Sequence, residues 1–374
     1  MNRLIIIGNG FDLAHGLKTS YKDFINWYWE QRANKFYECT QSVSEDCLCK
    51  LKIHKNEIFS TWSSFASQNS YFKNYDNTRK CTGLELFQFI KENREYFAIK
   101  YTHFFERITK CIEDKGWVDI ENEYYELLKK YSDNIEECKK LNKQLDFLRE
   151  KLKEYLKTLP SIRRNDDILA IIIDEFNEKD FSTIDREKAS DSMNQNEPTY
   201  PKYTMLLSFN YTKTTRYYID QNWNFDISIN YIHGELSTNE ELIFGYGDEL
   251  DKDYNDLRDR NDNELLRYIK SVKYLETSHY KKMLEFIESA PFQVFIMGHS
   301  CGNSDRTLLN TVFEHENCVS IKPFYYVKPD GTDTYLELVQ NISRNFTNPK
   351  LFRDRVVNKE LCQELPQCIK NTNE

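Results

Sequence analysis

The chain of 374 residues predicts an α/β fold built on a parallel sheet, and three observations carry that prediction. It opens on an apolar run, Leu4-Ile5-Ile6-Ile7, that passes through Gly8-Asn9-Gly10 into helical spacing, the order strand, tight turn, helix. Beyond residue 200, further short apolar runs each stop at a polar or glycine cluster. Between these regions lies a long stretch of helical periodicity, with too few glycines and prolines (11 and 8 in all) for extended loops. In an open parallel sheet the carboxyl ends of the strands share one edge, where ligands bind. The clusters are therefore expected to converge on one crevice.

Taken in order, Asn9 onward starts a helix. Tyr21, Phe24, Ile25, Tyr28 and Trp29 then recur at three and four residues, one apolar helix face. Helices are expected at Leu84–Ile112 (one or two), Trp117–Leu128 and Ile168–Phe176. The seam Leu141, Leu145, Leu148, Leu152, Tyr155 and Leu159 suits an antiparallel helical hairpin. Residues 187–200 are polar and nonperiodic, a surface linker. Strands are expected at Met205–Phe209, Ile227–Ile232, Leu242–Phe244, Val294–Met297, Val319–Val327 and Tyr335–Val339, with a charge-rich helical stretch near 253–290. The resulting division is an α/β core at 1–39 and 200–346, an all-helical insertion at 40–199, a smaller helical insertion at 250–290, and a polar tail at 347–374.

Composition narrows the class. Forty per cent hydrophobic and 30% charged residues fit a globular protein. A formal net charge of −9 disfavours a nucleic-acid partner. No apolar stretch is long enough to span a bilayer, and the apolar run at the start is too brief for a secretory signal. A cytoplasmic location without a membrane partner is expected. Ten cysteines contain no Cys-x-x-Cys pair, so no zinc ribbon or other metal is expected. Cys47-Leu48-Cys49 has no functional reading.

Gly8-Asn9-Gly10 followed by Phe11 and Asp12 reads as a phosphate seat, because successive backbone N–H groups and a helix N-terminus favour anions. A dinucleotide fingerprint would also place glycine at position 13, where this chain has Leu13. The same glycines also suit a plain tight turn. Asn210 after a strand supplies an amide or stabilises a turn. His233 after the next strand supplies a base, or is a turn histidine bonded to backbone. Asp12 is either an N-cap or a group facing the pocket.

The joint order of four motifs resembles sirtuin-type NAD-binding domains: Gly8-Asn9-Gly10 with Gly16, Asn210, His233-Gly234, and Gly298-His299-Ser300. The wording Gly-Asn-Gly-Phe-Asp-Leu-Ala-His-Gly-Leu, Ser-Phe-Asn-Tyr-Thr, Ile-His-Gly and Gly-His-Ser-Cys-Gly-Asn-Ser-Asp, ending at Asp305, is similar to the AbiH family of bacteriophage abortive-infection proteins. That resemblance runs through nearly the whole chain. It implies a Rossmann-like, sirtuin-like parallel sheet carrying the large all-helical insertion after the first strand-turn-helix. It also implies an antiphage effector that hydrolyses NAD to nicotinamide and ADP-ribose. Gly8, Asn9, Gly10, Phe11 and Asp12 would line the pyrophosphate and its surroundings, Gly298, His299, Ser300 and Asp305 the adenosine half, and Asn210 and His233 the nicotinamide ribose as the catalytic pair. Cleavage builds positive charge on the sugar, so an amide to hold hydroxyls and water and a base are the groups required.

Two departures bear on this. Asp12 replaces the sirtuin serine, and Thr212 stands where sirtuins have an aspartate that engages the nicotinamide amide. The four-cysteine zinc module is also missing, which argues against protein deacylation. Other readings stay open: a sensor that binds NAD or ADP-ribose without turnover, awaiting a phage-derived trigger, and a homo-oligomer. Glu121 is a further acidic candidate, equally readable as a helix-start residue. Gly298-His299-Ser300-Cys301-Gly302 also fits a nucleophile elbow, but the only downstream histidine is His315.

Overall fold

The computed structural model describes residues 1–38, 43–53, 83–92, 94, 97–182, 199–219 and 226–368. Eight strands lie among them: β1 (Asn2–Ile7), β2 (Val43–Glu45), β3 (Cys49–Ile53), β4 (Phe97–Tyr101), β5 (Thr204–Ser208), β6 (Ile227–Tyr231), β7 (Phe292–Met297) and β8 (Cys318–Phe324). The described chain divides into two compact units. One comprises residues 1–18 and 159–374, the other residues 19–158.

The first unit holds a five-stranded sheet in the order β6-β5-β1-β7-β8, with every pairing parallel. β1 is central, and all six of its residues are buried. Successive side chains of a strand point to opposite faces. Leu4 and Ile6 accordingly join one core with the helices His279–Ser289, Arg306–Phe313 and Tyr335–Arg344. Ile5 and Ile7 join a second core with the helices Asn9–Ala14 and Asp166–Ile173. A sheet covered on both faces explains the near-continuous apolar strands. Each such side chain contributes about 1.5–3 kcal/mol of burial.

Register decides which residues meet. Ile7 pairs with Ser208 and Met297, Ser208 with Tyr231, and Met297 with Phe324. The segments that follow these residues leave the sheet together along its carboxyl edge, and they carry Gly8, Asn210, His233, Gly298 and Tyr325. The chain order of strands reverses direction at β1, between β5 and β7. At such a reversal, connections on either side depart to opposite faces and open a crevice.

The second unit corrects the expectation of an all-helical insertion. Among its described residues β2, β3 and β4 form an antiparallel sheet, in which Leu51 and Phe97 are buried. The stretch Leu84–Ile112 is accordingly two helices, Gly83–Glu92 and His103–Lys115, separated by β4. The leucine seam lies on one helix, Ile135–Leu156, with Leu141, Leu145, Leu148, Leu152 and Tyr155 buried. Its hairpin partner is Ile120–Tyr131, where Glu121 is buried in the first turn. The linker expected at 187–200 lies outside the described residues except for Thr199 and Tyr200.

In the first unit, Tyr335–Val339 is not a strand but the start of the helix Tyr335–Arg344. Leu338 and Ile342, four residues apart, are the side chains that reach the core. Leu242–Phe244 is buried loop rather than strand, and β8 ends at Phe324 rather than continuing to Val327. The segment after Phe346 is polar in composition, yet it packs. It forms the helix Pro349–Arg355, adds parallel bridges from Val356 to Ile321 and from Glu364 to Tyr325, and buries Val357 and Leu365. No helix among the described residues is long and apolar enough to cross a membrane.

Candidate functional site at the carboxyl edge of the sheet

Gly8 follows β1 and caps the six-residue helix Asn9–Ala14. The glycines of this turn answer to a neighbouring loop. A Cβ on Gly10 would lie 2.8 Å from Gly298 Cα, and one on Gly298 would lie 2.1 Å from the Phe11 nitrogen, with Gly298 already at φ +72°. The Gly10 N–H donates to the Gly298 carbonyl at 2.7 Å, Gly8 N–H to Met297 at 3.2 Å, and Phe11 N–H to Gly8 at 2.9 Å. The amides of Gly8, Gly10 and Phe11 are thus used inside the fold, whereas the exposed Asn9 has none of these bonds. Phe11 itself is buried against His15 and Tyr218.

Asn210 holds the same turn from the other side, its Nδ2 donating to the Gly8 carbonyl at 2.9 Å. Beside it Asp12, 1% exposed, accepts from the Thr212 hydroxyl at 2.7 Å. Burial pushes the Asp12 carboxyl up to about 6, although hydrogen bonds from Thr212, Thr214 and Asn210 pull the other way. Asp12 therefore does not act as an N-cap. It is a buried carboxyl bonded by neutral donors. Thr212, which looks like the loss of a carboxylate when read along the chain, is the direct partner of one.

His233, Asp305 and His299 meet in a second group. His233 Nε2 lies 3.3 Å from Asp305 Oδ1 and 3.1 Å from the Tyr274 hydroxyl. His299 Nδ1 accepts from the Cys301 N–H at 3.0 Å, so its proton sits on Nε2, which faces Asp305 Oδ2 at 3.7 Å. Cys301 makes that bond from a left-handed backbone, φ 53°, a conformation that costs a non-glycine residue free energy and clusters at functional sites. The Phe209 ring touches both imidazoles, with centroids at 5.1 Å and 4.3 Å. Asn210 and His233 are thus near neighbours through Phe209 and share no hydrogen bond.

Three members of this group escape a reading of sequence. Lys270 is fully buried and places Nζ 2.8 Å from Asp305 Oδ1. Tyr274 stacks along His233 with centroids 6.0 Å apart. Phe209 reads simply as strand core. The one signal was a lysine beside the apolar pair Tyr268-Ile269, within a run that otherwise looks like a solvated helix. Burial opposes charge on Asp305, but Lys270 and the two histidines outweigh it and hold the carboxyl well below its usual range. Burial, followed by the charge on Lys270, pushes His233 down to about 4. His233 is therefore neutral at pH 7. With Nε2 turned to Asp305 and Tyr274, Nδ1 is the nitrogen that can take a proton.

A cavity of about 480 Å³ opens where β1, β7 and β8 end, lined by Gly10, Leu13, Gly298, His299 and Ser300 on one side. Phe324, Tyr325, Tyr326, Leu338 and Leu365 supply much of the rest. Its size is that of a small-molecule site. Ser300 is exposed beside it. His315, in contrast, packs on Phe292, the first residue of β7, at the opposite end of the strand from Ser300. Six residues of strand span about 20 Å, so no Ser300–His315 pair can form. Residues 4–327 match the family model described as bacteriophage abortive infection AbiH. No curated protein matches the chain.

Proposed function

Since the chain belongs to the AbiH family of bacteriophage abortive infection proteins, we propose that it serves antiphage defence as an NAD hydrolase. The proposed centre lies on a Rossmann-like, sirtuin-like carboxyl edge. One observation carries the reading: the four motif loops, separated by up to 290 residues of chain, leave the parallel sheet on one edge beside a cavity of ligand size.

In this reading the adenosine half of NAD occupies the cavity against Gly298, Ser300 and the aromatic residues after β8. The pyrophosphate passes the exposed Asn9, and the nicotinamide ribose reaches Asn210 and His233. His233 Nδ1 accepts the proton of the attacking water or of a ribose hydroxyl. Asp305 steadies the resulting imidazolium through Nε2, the role of the carboxylate in other acid–histidine pairs. The interior bonds of Gly8, Gly10 and Phe11 assign those residues to building the edge rather than to cradling phosphate.

The test is NAD itself. Cells expressing the wild-type chain should lose NAD after phage infection, with nicotinamide and ADP-ribose appearing, and His233→Ala cells should not. Intact NAD alongside full protection would exclude hydrolysis. Binding of NAD by purified protein without turnover in any condition would instead favour the sensor reading, which the internal bond of the Asn210 amide to Gly8 supports.

A further inference from the structure

Lys270 reaches Asp305 because one loop is shaped to seat it. The Ile243 N–H donates to the His233 carbonyl at 2.9 Å, so the segment 243–249 sets out from the histidine. Tyr246 then forms a parallel bridge with Ile269, its N–H donating to the Tyr268 carbonyl at 3.0 Å and its carbonyl accepting from the Lys270 N–H at 2.9 Å. Farther on, the Gly247 carbonyl accepts from the Thr307 N–H at 3.2 Å, in the helix that follows Asp305. A side chain on Gly245 would run into the Tyr268 carbonyl, and one on Gly247 would lie 3.0 Å from both Lys270 Cβ and the Ser304 carbonyl. Two glycines thus let a fully buried lysine and the turn carrying Asp305 close on the same segment. The outcome is directional. Asp305 Oδ1 accepts from Lys270 Nζ at 2.8 Å and lies 3.3 Å from His233 Nε2, while Oδ2 faces His299 Nε2 at 3.7 Å and the Ser304 hydroxyl at 3.5 Å. An ionised carboxylate can only accept hydrogen bonds.

We infer that Lys270 is a positioning residue: by keeping Asp305 a carboxylate it sets the tautomer of His233, with the proton on Nε2 and Nδ1 left to accept one. The tautomer follows from the geometry, and its use in catalysis rests on the NAD reading above. Asp305, Lys270, Tyr274 and His299 are the titratable groups that face His233, and Lys270 alone among them is an ammonium. Once that charge is removed, burial raises the Asp305 carboxyl. Asp305 then takes one proton from solvent and donates it to His233 Nε2, and the single imidazole proton moves to Nδ1. The proton acceptor is lost although His233 and Asn210 are both still in place.

The experiment is 15N spectroscopy of the full chain with labelled histidine, for wild type, Lys270→Met and Lys270→Gln at pH 7.5. The ring nitrogens of the seven histidines report which one bears the proton, and His233→Gln identifies the signals of His233. Wild-type His233 should be the Nε2–H tautomer, and both Lys270 variants should carry Nδ1–H. His299 is the internal control, because the Cys301 N–H donating to its Nδ1 at 3.0 Å keeps it Nε2–H in every sample. On the same samples kcat for NAD should fall about ten-thousand-fold in the variants, the cost of holding a catalytic histidine in the wrong tautomer, with KM near the wild-type value. An unchanged Nε2–H signal for His233 in either variant, with the His299 control intact, overturns the inference and leaves the NAD reading standing. An Nδ1–H signal in wild type overturns the inference together with Nδ1 as the base. The expected tautomers in a chain that neither binds nor turns over NAD overturn the NAD reading and leave the role of Lys270 in setting the tautomer. Should Lys270→Met fail to fold, the wild-type spectrum and Lys270→Gln decide.

Discussion

Two buried titratable residues of the carboxyl edge, His233 and Asp12, are pushed in opposite directions by their environments. His233 is lowered to about 4 by burial and then by Lys270. Its neutral form is favoured in the fold, so its contribution to stability is present above about 6.5 and is lost as pH falls toward 4. The acid limb of kcat/KM for NAD hydrolysis should lie near pH 4–5 rather than at the ordinary histidine value. A limb at 6.5 would remove His233 as the base. His233→Ala should lower turnover by about a hundred- to ten-thousand-fold, measured as nicotinamide release. Asp12 is raised to about 6 by burial. Its contribution is present below about 3.9 and is lost as pH rises through 6, which makes the ionised carboxyl a liability at pH 7. Asp12→Asn should therefore be more stable than wild type at pH 7.5, by up to about 3 kcal/mol. The two should converge near pH 4, as read from denaturant midpoints. Equal stabilities at both pH values would mean that Asp12 is not buried as described. Neither shift is legible in sequence, because each depends on residues more than thirty positions away.

At the level of single elements, the loops after β1 and β7 are one structure. Gly10 and Gly298 approach so closely that neither has room for a side chain, and Gly298 also needs its left-handed backbone. Gly298→Ala should cost more than about 2 kcal/mol, the left-handed penalty plus the clash with the Phe11 nitrogen. Gly302→Ala, where a Cβ would meet only Ser300 Oγ at 3.7 Å, should stay within about 0.5 kcal/mol. Comparing the two melts tests whether the Gly298 requirement is steric. The glycine-flanked turn was legible as a turn, but its use was not: the spacing suggests room for phosphate, and the partner that fills the space is another backbone loop. Elements misread as the wrong type share one cause. Tyr335–Val339 is apolar at four of its five residues and becomes helical because Leu338 and Ile342 face a common core. β3 and β4 look helical within a charged stretch and become strands because they pair with each other.

Across the whole molecule, distance along the sheet separates the rival chemistries. Ser300 and His315 are only fifteen residues apart in sequence but lie at opposite ends of β7, whereas His233 and Asp305, seventy-two apart, are within 3.3 Å. A serine-reactive probe should accordingly leave the wild-type chain unlabelled at Ser300, and labelling there would revive the hydrolase elbow. What the sequence by itself determined was the general alternation of strands and helices in the α/β unit, the family, and the loops that gather at the carboxyl edge of the sheet. Apolar periodicity and glycine punctuation are local properties, written in consecutive residues. Only the tertiary structure decided that Lys270 belongs to His233 and Asp305, that Thr212 is the partner of Asp12, and that the polar segment after Phe346 completes a cavity wall with Leu365. Those pairings depend on parallel register and crossover connections, which bring together side chains that no sequence window contains.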